Sequence, residues 1–289
     1  MRLILTLLCR NEADILASHL DFHLSRGVDL ILATDNGSID GSEAILADYE
    51  RRGLLRLLQE PSYTHDQAVW VTRMAQIATE ELGADWLIHS DADEFWWPRS
   101  GDLKAELAAL PPEVQAVQVE RNNLLPPAED ASGPFHQTML IRERRSLNSL
   151  GEPLLPKVCH RAAPDLAIDD GNHAVFHNGE RLPLHPCDGL EILHLPVRSS
   201  RQLERKIRNG AQALARNSRL HAGIGSTWRH LYETKVIPGR MEEYYRSLRP
   251  APAALAEALE RGELLEDRRL QQALAALQDG PMPPASPGS

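Results

Sequence analysis

Over residues 1–90 the chain alternates between short apolar runs and longer segments with helical spacing, and no other feature limits the fold as much. Leu3–Leu8, Leu30–Thr34, Leu54–Leu58 and Trp86–Ser90 read as strands, with helices predicted over Asp14–Ser25, Ser38–Arg51 and Asp66–Leu82. Helical crossovers of this length join parallel strands, and strands that are near-continuous apolar runs need cover on both faces. The expected fold class is therefore α/β: a Rossmann-like mixed sheet flanked by helices, with a C-terminal helical extension.

Beyond Trp97 the pattern changes. Asp102–Leu110 predicts a short helix closed by Pro111 and Pro112, while Val114–Glu120 and Thr138–Arg144 alternate like strands of a mixed or antiparallel region. Residues 147–190 are rich in Pro, Gly, Asp and His and read as functional loops rather than packed elements. Ser199–Arg216 is a basic helix with Arg201, Arg205, Lys206 and Arg208, expected to present a solvated face or to lie against anionic lipid or a diphosphate. Residues 250–277 read as helical, and Pro281–Ser289 as a disordered tail. The expected division is a main domain over 1–200, a helical region over 201–280 and the tail over 281–289.

A formal charge of −10 argues against a nucleic-acid partner, which would favour a basic face. It leaves room for a phosphate-bearing small molecule, since a bound cation inverts local electrostatics. Cys9, Cys159 and Cys187 are scattered and form no Cys-x-x-Cys pair, as expected of free thiols in a reducing cytoplasm. The apolar run Leu3–Leu8 is too short to span a bilayer and lacks a small-residue cleavage site, so a buried first strand is expected there. No transmembrane segment is expected, and peripheral contact with a membrane is left open.

The chemistry concentrates where the fourth strand ends. Trp86, Leu87 and Ile88 follow the break at Gly83 and lead into Ser90-Asp91-Ala92-Asp93-Glu94-Phe95. Residues two apart on an extended segment point the same way, so Asp91 and Asp93 can reach one ion. Ligands of open α/β sheets bind at the carboxyl ends of the strands, and a hard divalent cation takes one or two carboxylates there, with phosphate completing its shell. Two other strand ends face the same crevice. One carries Arg10-Asn11-Glu12; the other carries Asp35-Asn36-Gly37-Ser38-Ile39-Asp40, where Ser38 reads as a helix cap and Asp35 is placed to meet a base or ribose.

These three motifs resemble, in order and spacing, those of a branch of the family-2-type glycosyltransferases with the GT-A fold, and the resemblance covers roughly residues 1–210. It implies a GT-A-like catalytic domain over 1–200. The implied reaction moves a sugar from a nucleotide-diphosphate sugar to an acceptor hydroxyl, depends on Mn²⁺ or Mg²⁺ and inverts the anomeric centre. The acceptor is a glycan, a lipid-linked molecule or a small molecule. By resemblance, Asp35 contacts the base, Asp91 and Asp93 hold ribose and metal, and Arg10, Asn11, Glu12, Arg73 and Lys157 lie around the nucleotide sugar. His194, before the Arg198-Ser199 pair, resembles a late metal ligand; imidazole suits manganese better than magnesium.

An inverting transfer needs a carboxylate or imidazole to take the acceptor proton. Asp169, Asp170 and His173 are the candidates, with Glu120 and Glu143 behind them; the chain lacks the Glu-Asp dipeptide commoner in the family. Three other readings are disfavoured. A nucleotidyltransferase would show a Gly-rich loop after the first strand, where Cys9-Arg10-Asn11-Glu12 has no glycine. A non-catalytic nucleotide-sugar binding module would not require both Asp91 and Asp93. Zinc at His173 and His177, with His185 and Cys187 nearby, is opposed by Pro183 and Pro186, which make the segment loop-like. Trp70, Trp96 and Trp97 are expected mainly in the core, with one available to stack on a sugar ring.

Overall fold

A computed structural model describes residues 1–62, 66–128, 131–148, 150–217 and 225–279; the predicted tail, 281–289, lies outside them. The first half folds as its periodicity predicts. The elements are β1 (Leu3–Cys9), α1 (Leu16–Ser25), β2 (Leu30–Asp35), α2 (Ser42–Arg51), β3 (Leu55–Gln59), α3 (Gln67–Glu80) and β4 (Trp86–Asp91). β1 pairs in parallel with both β2 and β4, and β2 with β3. Alternation along the strands divides the core in two. Leu3, Leu5, Leu7, Ile31, Ala33 and Ile88 pack with α1 and α2, while Ile4, Leu32 and Leu87 pack with Val71, Met74 and Ala78 of α3. Each such side chain contributes about 1.5–3 kcal/mol by leaving water. The helix α2 begins at Ser42 rather than Ser38, because Ser38 bonds Asp35 while Asp40 accepts the Ser42 N–H (3.1 Å).

The second half carries β5 (Glu94–Pro98), α4 (Leu103–Ala108), β6 (Ala116–Val119), β7 (Arg121–Asn123), α5 (Phe135–Thr138), β8 (Ile141–Glu143) and β9 (Lys157–Arg161). Then come β10 (Leu166–Ile168), β11 (Val175–His177), β12 (Glu180–Arg181), β13 (His185–Pro186) and β14 (Leu190–His194). Asp102 starts α4 by accepting the Lys104 and Ala105 N–H groups at 2.7 and 3.2 Å. Thr138 belongs to α5, so the strand predicted from there begins only at Ile141.

The expectation of loops over 147–190 is overturned. Among the described residues seven strands form the main sheet in the order β13-β6-β9-β4-β1-β2-β3, and β9 runs antiparallel between β4 and β6. It is a central strand without an apolar run, because its polar residues find partners in the interior. His160 donates Nδ1–H to the Arg161 carbonyl (2.8 Å), which leaves its Nε2 to accept from His89 Nε2 (2.8 Å). His89 Nδ1 then accepts from Thr6 Oγ1 (2.7 Å). This chain satisfies two buried imidazoles without charge.

A smaller sheet places β14 between β5, antiparallel, and β7, parallel, which sets His194 opposite Glu94 and beside Asn123. The chain continues through α6 (Ser200–Arg216), α7 (Ser226–Leu231), a π-helical turn (Tyr232–Val236) and α8 (Met241–Ser247). These form a cluster of their own around Leu203, Ile207, Leu231, Val236 and Met241. Residues 250–277 are not helical throughout. Between α9 (Pro252–Glu260) and α10 (Arg269–Asp279) the chain turns at Gly262, where φ is +67°, and forms β15 (Leu264–Glu266) antiparallel to β8. The helix α10 returns to the main core, where Leu270, Ala273 and Leu274 join the cluster that holds Leu16 and Leu20 of α1. Among the described residues no helix is long and apolar enough to cross a membrane.

Candidate functional site

A cleft of about 710 Å³ opens at the carboxyl ends of β1 and β4 and runs out beneath α6–α8. Two cation–carboxylate clusters occupy its centre. In the first, Lys157 of β9 is 1% exposed and reaches Asp91 Oδ2 at 2.7 Å and Glu94 Oε1 at 3.2 Å. Arg121 adds a longer contact to Glu94 Oε1 (3.5 Å), and Gln67 Nε2 stands 3.4 Å from Asp91 Oδ1. Burial pushes the Asp91 carboxyl up, but Lys157 outweighs it and leaves it below its ordinary value. Glu94 is fully buried; desolvation, only partly offset by Lys157 and Arg121, pushes it up to about 7.

In the second cluster Lys206 of α6 donates to Asp93 Oδ2, and His194 Nε2 faces the same oxygen at 3.8 Å. Desolvation opposes ionisation of Asp93, yet Lys206 first, with Arg198 beside it, holds it well below the usual carboxylate range. His194 is pushed down to about 3, by burial first and by Arg121, Lys206 and Lys157 next, against the pull of Asp93. Its Nδ1 lies 2.7 Å from Asn123 Oδ1, while Asn123 Nδ2 donates to the Leu147 carbonyl. With the amide oxygen toward the ring, Nδ1 carries the proton and Nε2 presents its lone pair to Asp93. A partner that fixes the tautomer in this way is what a metal-binding imidazole requires.

The loop after β1 is held by its own polar groups. Asn11 sits at φ +58°, accepts the Ile39 N–H at Oδ1 (2.8 Å) and donates its own N–H to Ser38 Oγ (2.9 Å). Glu12 pairs with Arg198, which also grips Asp14 through Nε (2.7 Å) and its terminal nitrogen (3.0 Å). Burial raises Glu12, with Arg198 pulling the other way. Arg205 of α6 donates to the Asn11 carbonyl (2.8 Å). The start of α6 is thereby tied to the motif after the first strand.

The predicted residues divide. Arg10, Asn11, Glu12, Asp91, Asp93, Lys157, His173 and His194 all line the cleft, together with Glu143. Asp35 does not: it is buried, and its two oxygens accept from the Ser38 hydroxyl (2.5 Å) and N–H (3.2 Å). Neighbouring Asn36 lines the cleft instead. Arg73 is exposed on α3, because Trp70, Val71 and Met74 take the inward face. Asp169 shapes a turn by accepting the His173 and Ala174 N–H groups at 2.6 and 2.7 Å, and Asp170 accepts from Ala68 at the start of α3 (3.2 Å). Neither lines the cleft, and Glu120 is exposed outside it.

His173 does face in. Its Nδ1–H donates to the Pro156 carbonyl (2.7 Å), and burial, then Lys157, pushes it down to about 4. Gly171 (φ +83°) makes room, since a Cβ there would collide with the His173 ring. Glu143 is raised by burial, partly offset by Ser146 and Asn123, and its Oε2 is buried without a hydrogen-bond partner. The residues that sequence reasoning missed, Lys206 as a contact to Asp93, Arg121, Asn123 and Glu94, come from three separate elements, α6, β7 and β5, and only Arg121 and Asn123 are linked by local spacing.

Among the described residues no group of three or more His, Cys, Asp or Glu side chains is arranged to hold a metal ion. The nearest approach to such a group at the strand ends is the pair Asp93 and His194, 3.8 Å apart. That pair fits a divalent cation whose remaining ligands come from phosphate and water, on condition that Lys206 gives way.

No protein-family model matches the chain, and no curated protein matches it. Among solved structures it is similar to residues 1–349 of S. aureus TarS in complex with UDP-GlcNAc, at 11% identity over 96% of this chain and 84% of that one, with a TM-score of 0.46. A second structure of the same TarS segment gives 11%, 96%, 83% and 0.43, and one in complex with UDP gives 12%, 96%, 83% and 0.42.

Proposed function

We propose that this chain is a metal-dependent glycosyltransferase that moves a sugar from a nucleotide-diphosphate donor to an acceptor hydroxyl with inversion. The carrying observation is the pairing of Asp93 and a tautomer-fixed His194 beside Lys157, Lys206 and Arg121 at the strand ends. A carboxylate, an imidazole and a ring of cations suit a diphosphate that must leave with its charge neutralised. Asp93 and His194 would hold Mn²⁺ or Mg²⁺, which when bound supplies Lewis-acid stabilisation of the leaving group. Lys157 and Arg121 fix the floor on which the diphosphate lies, and Arg10, Asn36 and Gln67 line the end where the nucleoside fits. Glu143 takes the acceptor's proton: it is a cleft-lining carboxyl whose burial raises its basicity. His173, neutral and held by Pro156, positions the donor.

The test is a melting-temperature series with UDP, GDP, ADP and CDP, each with and without Mn²⁺. A ligand confined to the folded state raises the transition by mass action. A manganese-dependent rise with one nucleotide is expected and names the donor's base; no rise with any of the four removes the donor site. With the donor in hand, Glu143→Gln should lower kcat about 10²- to 10⁴-fold with little change in KM for the donor. An unchanged kcat would move the proton transfer elsewhere.

A further inference from the structure

Three strands of the second half bring one residue each to the cleft in a single row. β14 runs parallel to β7 with His194 opposite Asn123, and the Leu124 N–H donates to the His194 carbonyl (2.8 Å). On the other side of β7, Leu124 bridges Arg142 in antiparallel fashion, and the Leu125 N–H donates to the Ile141 carbonyl (2.8 Å). That register sets Asn123 against Glu143 of β8. Cross-strand neighbours stand about 5 Å apart on one face of a sheet. His194, Asn123 and Glu143 accordingly all line the cleft. Asn122 points the other way, as a period of two requires, and donates Nδ2–H to Glu191 Oε2 (3.2 Å).

The middle of this row is an amide, with one accepting and one donating end. Its accepting end, Oδ1, lies 2.7 Å from His194 Nδ1. Its donating end reaches the Leu147 carbonyl (3.4 Å), and since a carbonyl only accepts, the amide's orientation follows. A second hydrogen on Nδ2 is left for Glu143, whose charged form Asn123 and Ser146 both favour against the cost of burial. Glu143 Oε2 is buried without a hydrogen-bond partner, so the carboxylate depends on these two neighbours. The backbone of Asn123 is held as well: its N–H donates to Oγ of the buried Ser146 (2.7 Å). A carboxylate in place of the amide would still accept from His194 but would repel Glu143. A leucine would serve neither.

We propose, resting on the glycosyltransferase reading, that Asn123 is a positioning residue for both reacting ends of the cleft. Its oxygen aims the His194 Nε2 lone pair at the cation position beside Asp93. Its amide hydrogens hold the Glu143 carboxylate where the acceptor hydroxyl gives up its proton. One side chain thereby sets the metal ligand and the base in register with each other.

The experiment compares Asn123→Asp and Asn123→Leu in the full chain by three readouts, none of which uses a nucleotide. Ring ¹⁵N spectra report the His194 tautomer without metal, its signals being identified by their loss in His194→Gln. The Nδ1–H form should persist in Asn123→Asp and give way to mixed tautomers in Asn123→Leu. Carboxyl ¹³C spectra, assigned in the same way through Glu143→Gln, report the midpoint of Glu143. Asn123→Asp should move that midpoint upward by about one pH unit, because a like charge then faces it. Calorimetry with Mn²⁺ alone should show binding weakened about 10- to 100-fold in Asn123→Leu and not weakened in Asn123→Asp. A merely structural side chain would make both variants follow the melting temperature and move together. An unmoved Glu143 midpoint in Asn123→Asp, or an unmoved His194 tautomer in Asn123→Leu, overturns the proposal. Asn123→Ala gives the same tautomer test if the leucine variant does not fold. The nucleotide melting series reads the donor site separately, so failure of this role for Asn123 and failure of the glycosyltransferase reading give different results.

Discussion

The two lysines of the site differ in what holds them. Lys157 projects from a central strand, is almost wholly buried and neutralises two carboxylates at once, Asp91 and Glu94. Lys206 projects from a helix outside the sheet, is 27% exposed on its side chain and meets one carboxylate, Asp93, to which His194 also turns. The first belongs to the folding core. The second meets the carboxylate proposed to hold the cation, on a helix tied to the loop after β1 through Arg205 and, from the turn before it, Arg198. Charge of the same sign, in contact with the same motif, thus serves a fixed floor in one place and, by the proposed reading, an exchangeable wall in the other.

The sharpest way to break this contrast is Lys157→Met. Removing one partner of a buried cluster leaves uncompensated charge, and the loss should be about 3–5 kcal/mol in chemical denaturation. A loss under 1 kcal/mol would mean that Asp91 and Glu94 find other partners and that Lys157 is no floor.

Acid should strike the sheet next. His160 and His23 are both buried and neutral, each pushed down to about 4 from 6.5 chiefly by desolvation. His23 accepts the Trp96 N–H at Nε2 (3.1 Å) and donates Nδ1–H to the His19 carbonyl (2.8 Å), so it has no position left for a second proton. Because the folded values lie below the unfolded ones, the unfolded chain binds protons that the folded chain refuses. Stability is complete above pH 6.5, falls as the pH drops toward 4 and then levels, by roughly 3 kcal/mol for each histidine. Denaturation curves at pH 7, 5.5 and 4.5 measure it, and replacing His160 by Gln should remove part of the slope. A flat profile would show that these imidazoles protonate without leaving the fold.

The smallest effect belongs to the wall. Lys206→Ala should leave the fold intact and tighten Mn²⁺ binding roughly twofold to fivefold, the worth of a partly exposed ion pair. Weaker Mn²⁺ binding or lost stability would instead place Lys206 with Lys157, as a permanent part of the frame.

The first half was legible because β1, β2 and β4 are near-continuous apolar runs, and such runs have few alternatives to a covered parallel sheet. The acids after β4 could be placed for the same reason. β9 escaped notice because Lys157-Val158-Cys159-His160-Arg161 hides its burial behind polar side chains, each satisfied by a residue far away in the chain. Lys206 read as one charge on a solvated helix face, since helical phase says which residues share a face and not what that face meets. Asp35, Asp169 and Asp170 have the residue type that binding and catalysis use, yet here each accepts backbone or hydroxyl protons from its own neighbourhood or from the start of α3. Acids at turns serve local geometry as readily as ligands, and only the position of their oxygens separates the two.

The return of α10 to the main core bears on how the molecule is made. Leu16 and Leu20 of α1 share their cluster with Leu270, Ala273 and Leu274, so a surface synthesised early is covered by a helix synthesised near the end. While the chain leaves the ribosome, that part of α1 stays open through the production of some two hundred and fifty residues. Folding from the amino end can therefore assemble the parallel strands, but the face of α1 that awaits α10 remains an exposed apolar stripe. Over that interval the nascent chain carries an apolar stripe that the finished protein covers with α10.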